Sequence, residues 1–352
     1  MKAIVIREFG GPQVLRYESA PTPKPRATEV LVRLHAVGVN HMEIDVREGR
    51  SAFDFPLPHV MGGEAAGEIV ESGAAVNGFR EGDRVMPAVS LRAPSCDASD
   101  CLCRRGLDNL CRQFGKLGIS CWGSYAGYLC VEPQNLVRIP GGVSYLQAAA
   151  GRTAFSTAWE LMVVKGKLTA GETVLVNGAG GGVGTAAVRV AQYCGARIVA
   201  SVGSEAKATR LRSMGVEQIV NYRAEDLAAG VMRLTGGQGV DLALETVGGD
   251  ILRSTIHCMA AGGRIAIGGA HAGETVAIDI VKLFRRQIQI VTTHSYPQST
   301  TAKVFDLMAH GNLAPVIAAT YPLSEAGQAQ QLLSSRNSFG KVVMTVNADA
   351  WQ

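Results

Sequence analysis

Thr173 to Ala196, TVLVNGAGGGVGTAAVRVAQYCGA, is the stretch whose reading decides the fold. Val174, Leu175 and Val176 make an apolar run suited to a buried strand. Gly178, Gly180, Gly181, Gly182 and Gly184 then crowd into seven positions. Beyond them Val183, Ala187, Val190 and Cys194 recur at helical spacing, so the segment predicts a strand, a glycine turn and a helix start. The first N–H groups of such a helix have no partner, and its dipole favours negative charge, which makes an anion site. Glycine is needed there because a Cβ would hold a pyrophosphate off the backbone. In the register Ala179-x-Gly181-x-x-Gly184 this is a dinucleotide fingerprint with alanine in its first place. The predicted strand before it and helix after it are the context the motif requires. The alternative is a glycine-rich loop that only lets a helix pack closely on a sheet.

Working outward, the alternation continues. Arg197–Val202, Gln218–Asn221, Val240–Glu245 and Arg264–Ile267 read as strands with helical segments between them, which predicts an α/β fold with a doubly wound parallel sheet. Before residue 140 the pattern is different. Lys2–Ile6, Glu29–Val39, Gly67–Ser72 and Arg84–Met86 are candidate strands among frequent breakers. Prolines keep the run Pro21 to Arg26 out of any central strand. After His294 come a predicted helix (Thr301–Met308), another (Glu325–Ser334) and a last strand (Lys341–Val346), a tail that reads as a return to the first domain.

A chain of 352 residues exceeds one ordinary core and predicts two domains. A net charge of +4, spread along the chain, argues neither for nucleic acid nor for a membrane surface. The opening MKAIVIREFGG has an apolar run too short for a signal peptide, and no run reaches the ~18 apolar residues of a membrane span. Eight cysteines without a secretory signal point to free thiols or metal rather than disulfides. The expectation is a cytoplasmic protein.

Several motifs together are more specific: GVNHMEI (Gly38 to Ile44), PLPHVMGGEAAGEIV (Pro56 to Val70), FREGDRV (Phe79 to Val85), GSYAGY (Gly123 to Tyr128), FSTAW (Phe155 to Trp159) and the glycine loop. With them nearly the whole chain resembles the medium-chain dehydrogenase/reductases, in the branch of quinone oxidoreductases and zeta-crystallin. The resemblance implies a GroES-like catalytic domain of residues 1–153 and 294–352 closed over a Rossmann dinucleotide-binding domain of residues 154–293. It also implies a homodimer or homotetramer built by edge-to-edge pairing of the nucleotide sheets.

Zinc alcohol dehydrogenases of this superfamily hold a catalytic zinc with a cysteine, a histidine and a further cysteine or acid, leaving one position open. Here those places carry Asn40, Gly63 and Thr153, none of them a good zinc ligand. His41 and His59 lie nearby and could form a different site or simply make hydrogen bonds. The family's structural zinc lobe spaces its cysteines C-x2-C-x2-C-x7-C. Cys103 and Cys111 keep the last interval, but Asp97 and Asp100 take the first two places, with Cys96 and Cys101 each one residue away. The four sulfurs could enclose a structural zinc, share it with the aspartates, or be free thiols of a degenerate lobe.

NAD-preferring folds place an acid after the second strand, where Val202 stands here. By the resemblance, Lys207 and Tyr222, with Ser204 beside them and an arginine near Arg336, would contact the ribose phosphate of NADPH. Gly180, Gly181, Gly182, Val183 and Gly184 would cradle the pyrophosphate, and Thr157 would lie beside the nicotinamide. Solvated surface charge is the plain alternative for Lys207, Arg210 and Arg223. Among candidate catalytic groups, Asn40 donates to a carbonyl oxygen or bonds backbone at a strand end. Tyr125 or Tyr128 supplies a proton or packs, and Glu64 acts structurally or as a relay. Arg152, adjoining Thr153, clamps a carboxylate or stabilises an enolate, or is an exposed charge at a helix start.

These readings predict an NADPH-dependent oxidoreductase that reduces a small-molecule quinone or α,β-unsaturated carbonyl compound without catalytic zinc. The competing expectations are a zinc-dependent alcohol dehydrogenase or carbonyl reductase, and a low-turnover NADPH-binding protein.

Overall fold

The computed structural model describes residues 1–50, 54–92, 96 and 101–351, so Asp97 and Asp100 lie outside the described residues. The chain divides into two compact units, one of Met1–Thr153, Ser295–Gly311 and Ile317–Gln352, the other of Ala154–His294 and Asn312–Val316. The first division falls within one helix, Tyr145–Trp159. His294 and residues 312–316 thus group with the central unit rather than with the tail.

The central unit is a six-stranded parallel sheet of Thr173–Val176, Arg197–Val202, Gln218–Asn221, Val240–Glu245, Met259–Ile267 and Gln289–Thr292. Numbered along the chain, they lie side by side as third, second, first, fourth, fifth and sixth. The order reverses between the first and fourth strands, the place where doubly wound sheets open a crevice for ligands. Val174, Leu175 and Val176 are wholly buried, as an unbroken apolar run in a parallel sheet requires. The fifth strand starts at Met259, five residues before the expected Arg264. Its MAAGG opening offers no β alternation to read, and the register slips between Val240 and Leu242 of its partner.

In the other unit a sheet runs Leu136–Arg138, Arg84–Pro87, Ala65–Ser72, Val30–Gly38, Lys341–Thr345 and Ile317–Pro322, with Tyr128–Val131 also paired to Val30–Gly38. The last strand of the chain is therefore interior to this sheet. Its antiparallel register sets Val343 opposite Gly38, which carries Lys341 to the neighbourhood of Asn40. The Pro21 to Arg26 run carries no strand. No helix among the described residues is long and apolar enough to cross a membrane.

Candidate active site

In the central unit the first strand ends at Val176, and Gly178 turns the chain with a left-handed φ of 62°. Gly181 then caps a 12-residue helix, Gly182–Tyr193, with Val183 half-buried in its first turn. A Cβ on Gly184 would lie 2.2 Å from the Gly178 carbonyl oxygen and 2.6 Å from Ala179 Cα, so only glycine lets the helix seat on its own turn. A Cβ on Gly180 would meet Lys207 Cδ at 2.7 Å: the lysine stem lies across the loop. Ser204 caps the next helix by accepting from Lys207 N at 3.4 Å. The Tyr222 hydroxyl lies over Gly203, 2.6 Å from where a Cβ would stand. Lys207, Ser204 and Tyr222 thus gather at the end of the second strand, beside Val202, with Gly180 of the loop. Thr157 is half-buried on the helix Tyr145–Trp159. Arg336 belongs to the other unit, exposed at a left-handed φ of 56° just past the helix Ala326–Ser334.

Beneath that loop is a buried network that no sequence motif marks. Asn177 Nδ2 donates to Glu245 Oε2 and to Thr255 Oγ1, each at 2.8 Å, while Ser201 Oγ donates to Asn177 Oδ1 at 2.9 Å. Glu245 Oε1 accepts from the N–H groups of Val247 (2.6 Å) and Gly248 (2.9 Å). Burial raises the Glu245 carboxyl, and these donors work against that rise. The network ties the ends of the first, second and fourth strands, which fixes the ledge on which the glycine loop rests.

In the other unit the polar groups converge on Glu64, which is wholly buried. Its Oε1 accepts from Thr153 N at 2.6 Å. Its Oε2 accepts from Asn40 Nδ2 at 3.2 Å and pairs with Lys341 Nζ at 2.7 Å. Gly38 makes this possible, because a Cβ there would stand 2.2 Å from Glu64 Oε2. Lys341, only 6% exposed, also donates to Asn40 Oδ1. An ammonium can only donate, so it sets the amide: oxygen toward Lys341, nitrogen toward Glu64. One Asn40 N–H is left to donate elsewhere. Asn40 also caps the helix His41–Arg47, where its N–H donates to Glu43 Oε2 at 2.7 Å. Glu43 Oε1 accepts from Gly63 N at 3.0 Å, and burial pushes this carboxyl up to about 7.

A second chain of polar groups reaches Thr153. The Tyr296 hydroxyl donates to Thr153 Oγ1 at 3.2 Å and accepts from Arg152 Nη1 at 3.4 Å. Burial raises the Tyr296 phenol. The Thr153 hydroxyl accepts from Tyr296, so its own proton remains to be donated. The exposed-charge reading of Arg152 is corrected: the residue is 1% exposed. Its helix begins seven residues earlier, at Tyr145, so Arg152 stands mid-helix rather than at a start.

Tyr125 is corrected as a proton donor. It is fully buried among Ile4, Met61, Ala126 and their neighbours in the core, with Gln330 as the polar side chain beside its hydroxyl, and burial drives its phenol well above the usual value. Tyr128 donates to the Trp351 carbonyl at 3.4 Å. His59 is buried, bonds the Gly118 carbonyl at 3.0 Å, and is held below its usual pKa by burial. His41 is half-buried in the first turn of its helix.

Cys96, Cys101, Cys103 and Cys111 do come together: their sulfurs lie within 4.8 Å of one another, with Cys101 and Cys111 at 3.9 Å. None of them is in a disulfide. The short helix Leu102–Arg105 and the left-handed Gly106 reverse the chain and return Cys111 to Cys101. Backbone N–H groups of Arg112 and Cys103 favour the Cys101 thiolate, drawing it down to about 6. Four thiols in this space suit one tetrahedral zinc. Among the described residues this is the one such group of histidine, cysteine and acidic side chains. Asn40, Gly63 and Thr153, by contrast, offer an amide, no side chain and a hydroxyl, which is not a zinc set.

Two family models match the chain: an alcohol dehydrogenase GroES-like domain over residues 26–141 and a zinc-binding dehydrogenase over residues 182–310. A solved structure described as a NAD-dependent alcohol dehydrogenase is 37% identical, with a TM-score of 0.92 over 99% of this chain and 100% of that one. The chain belongs to the medium-chain dehydrogenase/reductases, in the quinone oxidoreductase branch. The branch rests on quinone oxidoreductases such as that of Homo sapiens, 26% identical over 98% of this chain and 97% of that protein. The one from Pseudomonas aeruginosa is 28% identical over 97% and 99%. As a member of the superfamily this protein is an oxidoreductase enzyme, and the family is NAD(P)-dependent. The glycine cradle, with Cβ-free approaches at Gly180 and Gly184 and a cation and two hydroxyls at its edge, fits such a dinucleotide.

Proposed function

We propose that this enzyme is an NADPH-dependent reductase of quinones or α,β-unsaturated carbonyl compounds that works without a catalytic metal. The observation that carries this reading is the Glu64 centre. The superfamily's zinc-ligand places hold two hydrogen-bond donors, Asn40 and Thr153, each anchored on Glu64. The bound nicotinamide supplies a hydride, and water supplies the proton that completes reduction of the acceptor. Asn40 Nδ2–H and the Thr153 hydroxyl donate to the acceptor oxygen as negative charge develops on it, a task that needs donors rather than a Lewis acid. Lys341 holds the Asn40 amide in its donating orientation, and Tyr296 does the same for Thr153. Lys207, Tyr222 and Ser204 would hold the ribose phosphate. Val202 puts no carboxylate at the end of the second strand, and the nearby Glu205 is paired with Arg212 at 2.6 Å.

A homodimer is part of this reading. The sixth strand, Gln289–Thr292, is a sheet edge, and Ile280, Phe284 and Ile290 near it are 70%, 63% and 39% exposed. A homotetramer is the larger closed assembly of the same pairing. We place the enzyme in the cytoplasm on its cysteine usage. The solved relative's description as a NAD-dependent alcohol dehydrogenase supports a second reading, NADH-linked alcohol chemistry.

The test is a panel of a quinone, an enone and a primary alcohol assayed with both cofactors. NADPH is expected to exceed NADH at least ~10-fold in kcat/KM, with Lys207→Ala removing most of that ratio. Preference for NADH, or activity lost to a chelator and restored by zinc, would refute the proposal. Tight NADPH binding without turnover would favour the nucleotide-binding alternative.

A further inference from the structure

Arg152 is among the largest fully buried side chains of the described residues. It forms no ion pair within 4.0 Å among the described residues, and its Nε has no partner. Its hydrogen bond among the described residues runs from Nη1 to the Tyr296 hydroxyl at a long 3.4 Å. The Tyr296 ring is a further weak partner, its centroid 5.6 Å from the guanidinium. Asp108 feels the charge from beyond ion-pair distance, while its own carboxylate oxygens accept from Gln298 N at 3.2 and 3.3 Å. A buried guanidinium without an anion costs several kcal/mol, so such a group is expected to face a ligand that completes it. The edge that carries the unpartnered Nε is Nε with Nη2, a two-donor fork whose spacing matches the two oxygens of a carboxylate. Arg152 adjoins Thr153 in sequence and is bridged to its hydroxyl by Tyr296, so the fork belongs to the centre that receives the acceptor oxygen.

We infer that Arg152 binds a carboxylate of the acceptor, so that the preferred substrate carries a carboxylate in addition to the carbonyl group that activates it. This rests on the reductase reading above and names the substrate class of the same site. In the reaction the C=C bond takes one hydride at the carbon β to the ketone and one proton at the α carbon. The reduced nicotinamide is oxidised and the carboxylate is unchanged.

Two acceptors isolate the claim: 4-oxo-2-pentenoate and 3-penten-2-one, which differ only by carboxylate against methyl. The wild-type enzyme is expected to favour the acid by on the order of 100-fold in kcat/KM. That ratio should collapse toward unity in Arg152→Met and recover only in part in Arg152→Lys, which keeps the charge but not the fork. If Arg152→Met does not fold, Arg152→Lys alone carries the reading, with an expected loss of roughly tenfold in the ratio. A wild-type ratio near one, or a ratio that neither variant moves, overturns the inference. If the enzyme reduces neither enone, the enone half of the reductase reading falls, and binding decides the anion site by itself. Levulinate should then bind the NADPH-loaded enzyme by calorimetry where 2-pentanone does not, and lose that advantage in Arg152→Lys. Equal binding of the two overturns the inference whatever the turnover.

Discussion

Replacing Lys341 by methionine, close to the lysine stem in length but uncharged, tests the Glu64 centre directly. In the native protein the ammonium lies 2.7 Å from a carboxylate that is fully buried, and is itself 6% exposed. At an effective dielectric constant of ~20, two unit charges at that separation attract by ~6 kcal/mol, most of it offset by desolvation. Deleting one partner leaves the other buried and unpaired, which costs ~3–5 kcal/mol. At ~2–4 °C per kcal/mol for a unit of this size, Tm should fall by roughly 10 °C. Activity should suffer separately. Without Lys341 the Asn40 amide can flip, and Glu64 sets an uncompensated negative charge beside the oxygen that must become negative. A kcat loss of ~100-fold follows if one oxyanion donor is disabled, with KM for NADPH unmoved. The decisive variant is Lys341→Met with Glu64→Gln, which removes both charges and keeps an amide where the carboxylate was. It should recover ~2 kcal/mol of the single-variant loss, and part of kcat, measured by thermal unfolding and steady-state assay. Should the two substitutions add within ~0.5 kcal/mol, Lys341 and Glu64 are not coupled and the argument is wrong.

Other outcomes follow from the same geometry. Glu43 has a folded pKa of about 7 against 4.5 for the free side chain, so the folded protein binds the extra proton between those values. Stability should therefore fall as pH rises from 4.5 to 7, by up to ~3 kcal/mol from this group, and the Glu43→Gln variant should lose that slope in its Tm-against-pH profile. Metal analysis should find about one zinc per chain, released in Cys111→Ser, with chelation lowering Tm while leaving the kcat of the folded fraction intact. Protein that purifies without zinc would instead assign the four cysteines as free thiols. Ile290→Lys on the edge strand should convert the proposed homodimer to monomer in light scattering, and an unchanged mass would remove that strand from the interface.

How much of this was legible depends on how local each signal is. The strand, glycine turn and helix of Thr173–Ala196 were readable because periodicity and glycine chemistry act within 24 residues. The second, third and fourth parallel strands followed from the same alternation, while the sixth, Gln289–Thr292, was not read from it. The fifth alone lost its first residues, where MAAGG carries neither alternation nor branched side chains. The cysteines were visible as a group, but their convergence depends on the chain reversal at Gly106, which the departure from regular spacing conceals. Arg152 was misplaced because a charged residue is ordinarily solvated, and nothing within a few residues says that a helix seven positions older encloses it. Asn40 and Glu64 were noticed singly, as residues near a missing metal. What joins them is a lysine 301 positions after Asn40, which reads locally as a charge capping the end of a strand. Its place is decided by a register: Val343 opposite Gly38, and so Lys341 opposite Asn40 two residues further along the antiparallel pair. A single-residue slip of that strand would turn Lys341 to the other face of the sheet and leave Glu64 buried without a cation. The Glu64 cluster is thus specified by the pairing of the chain's last strand, and the glycine at position 38 is the sequence trace of it, since only a missing side chain admits the Glu64 carboxylate to the crossing point.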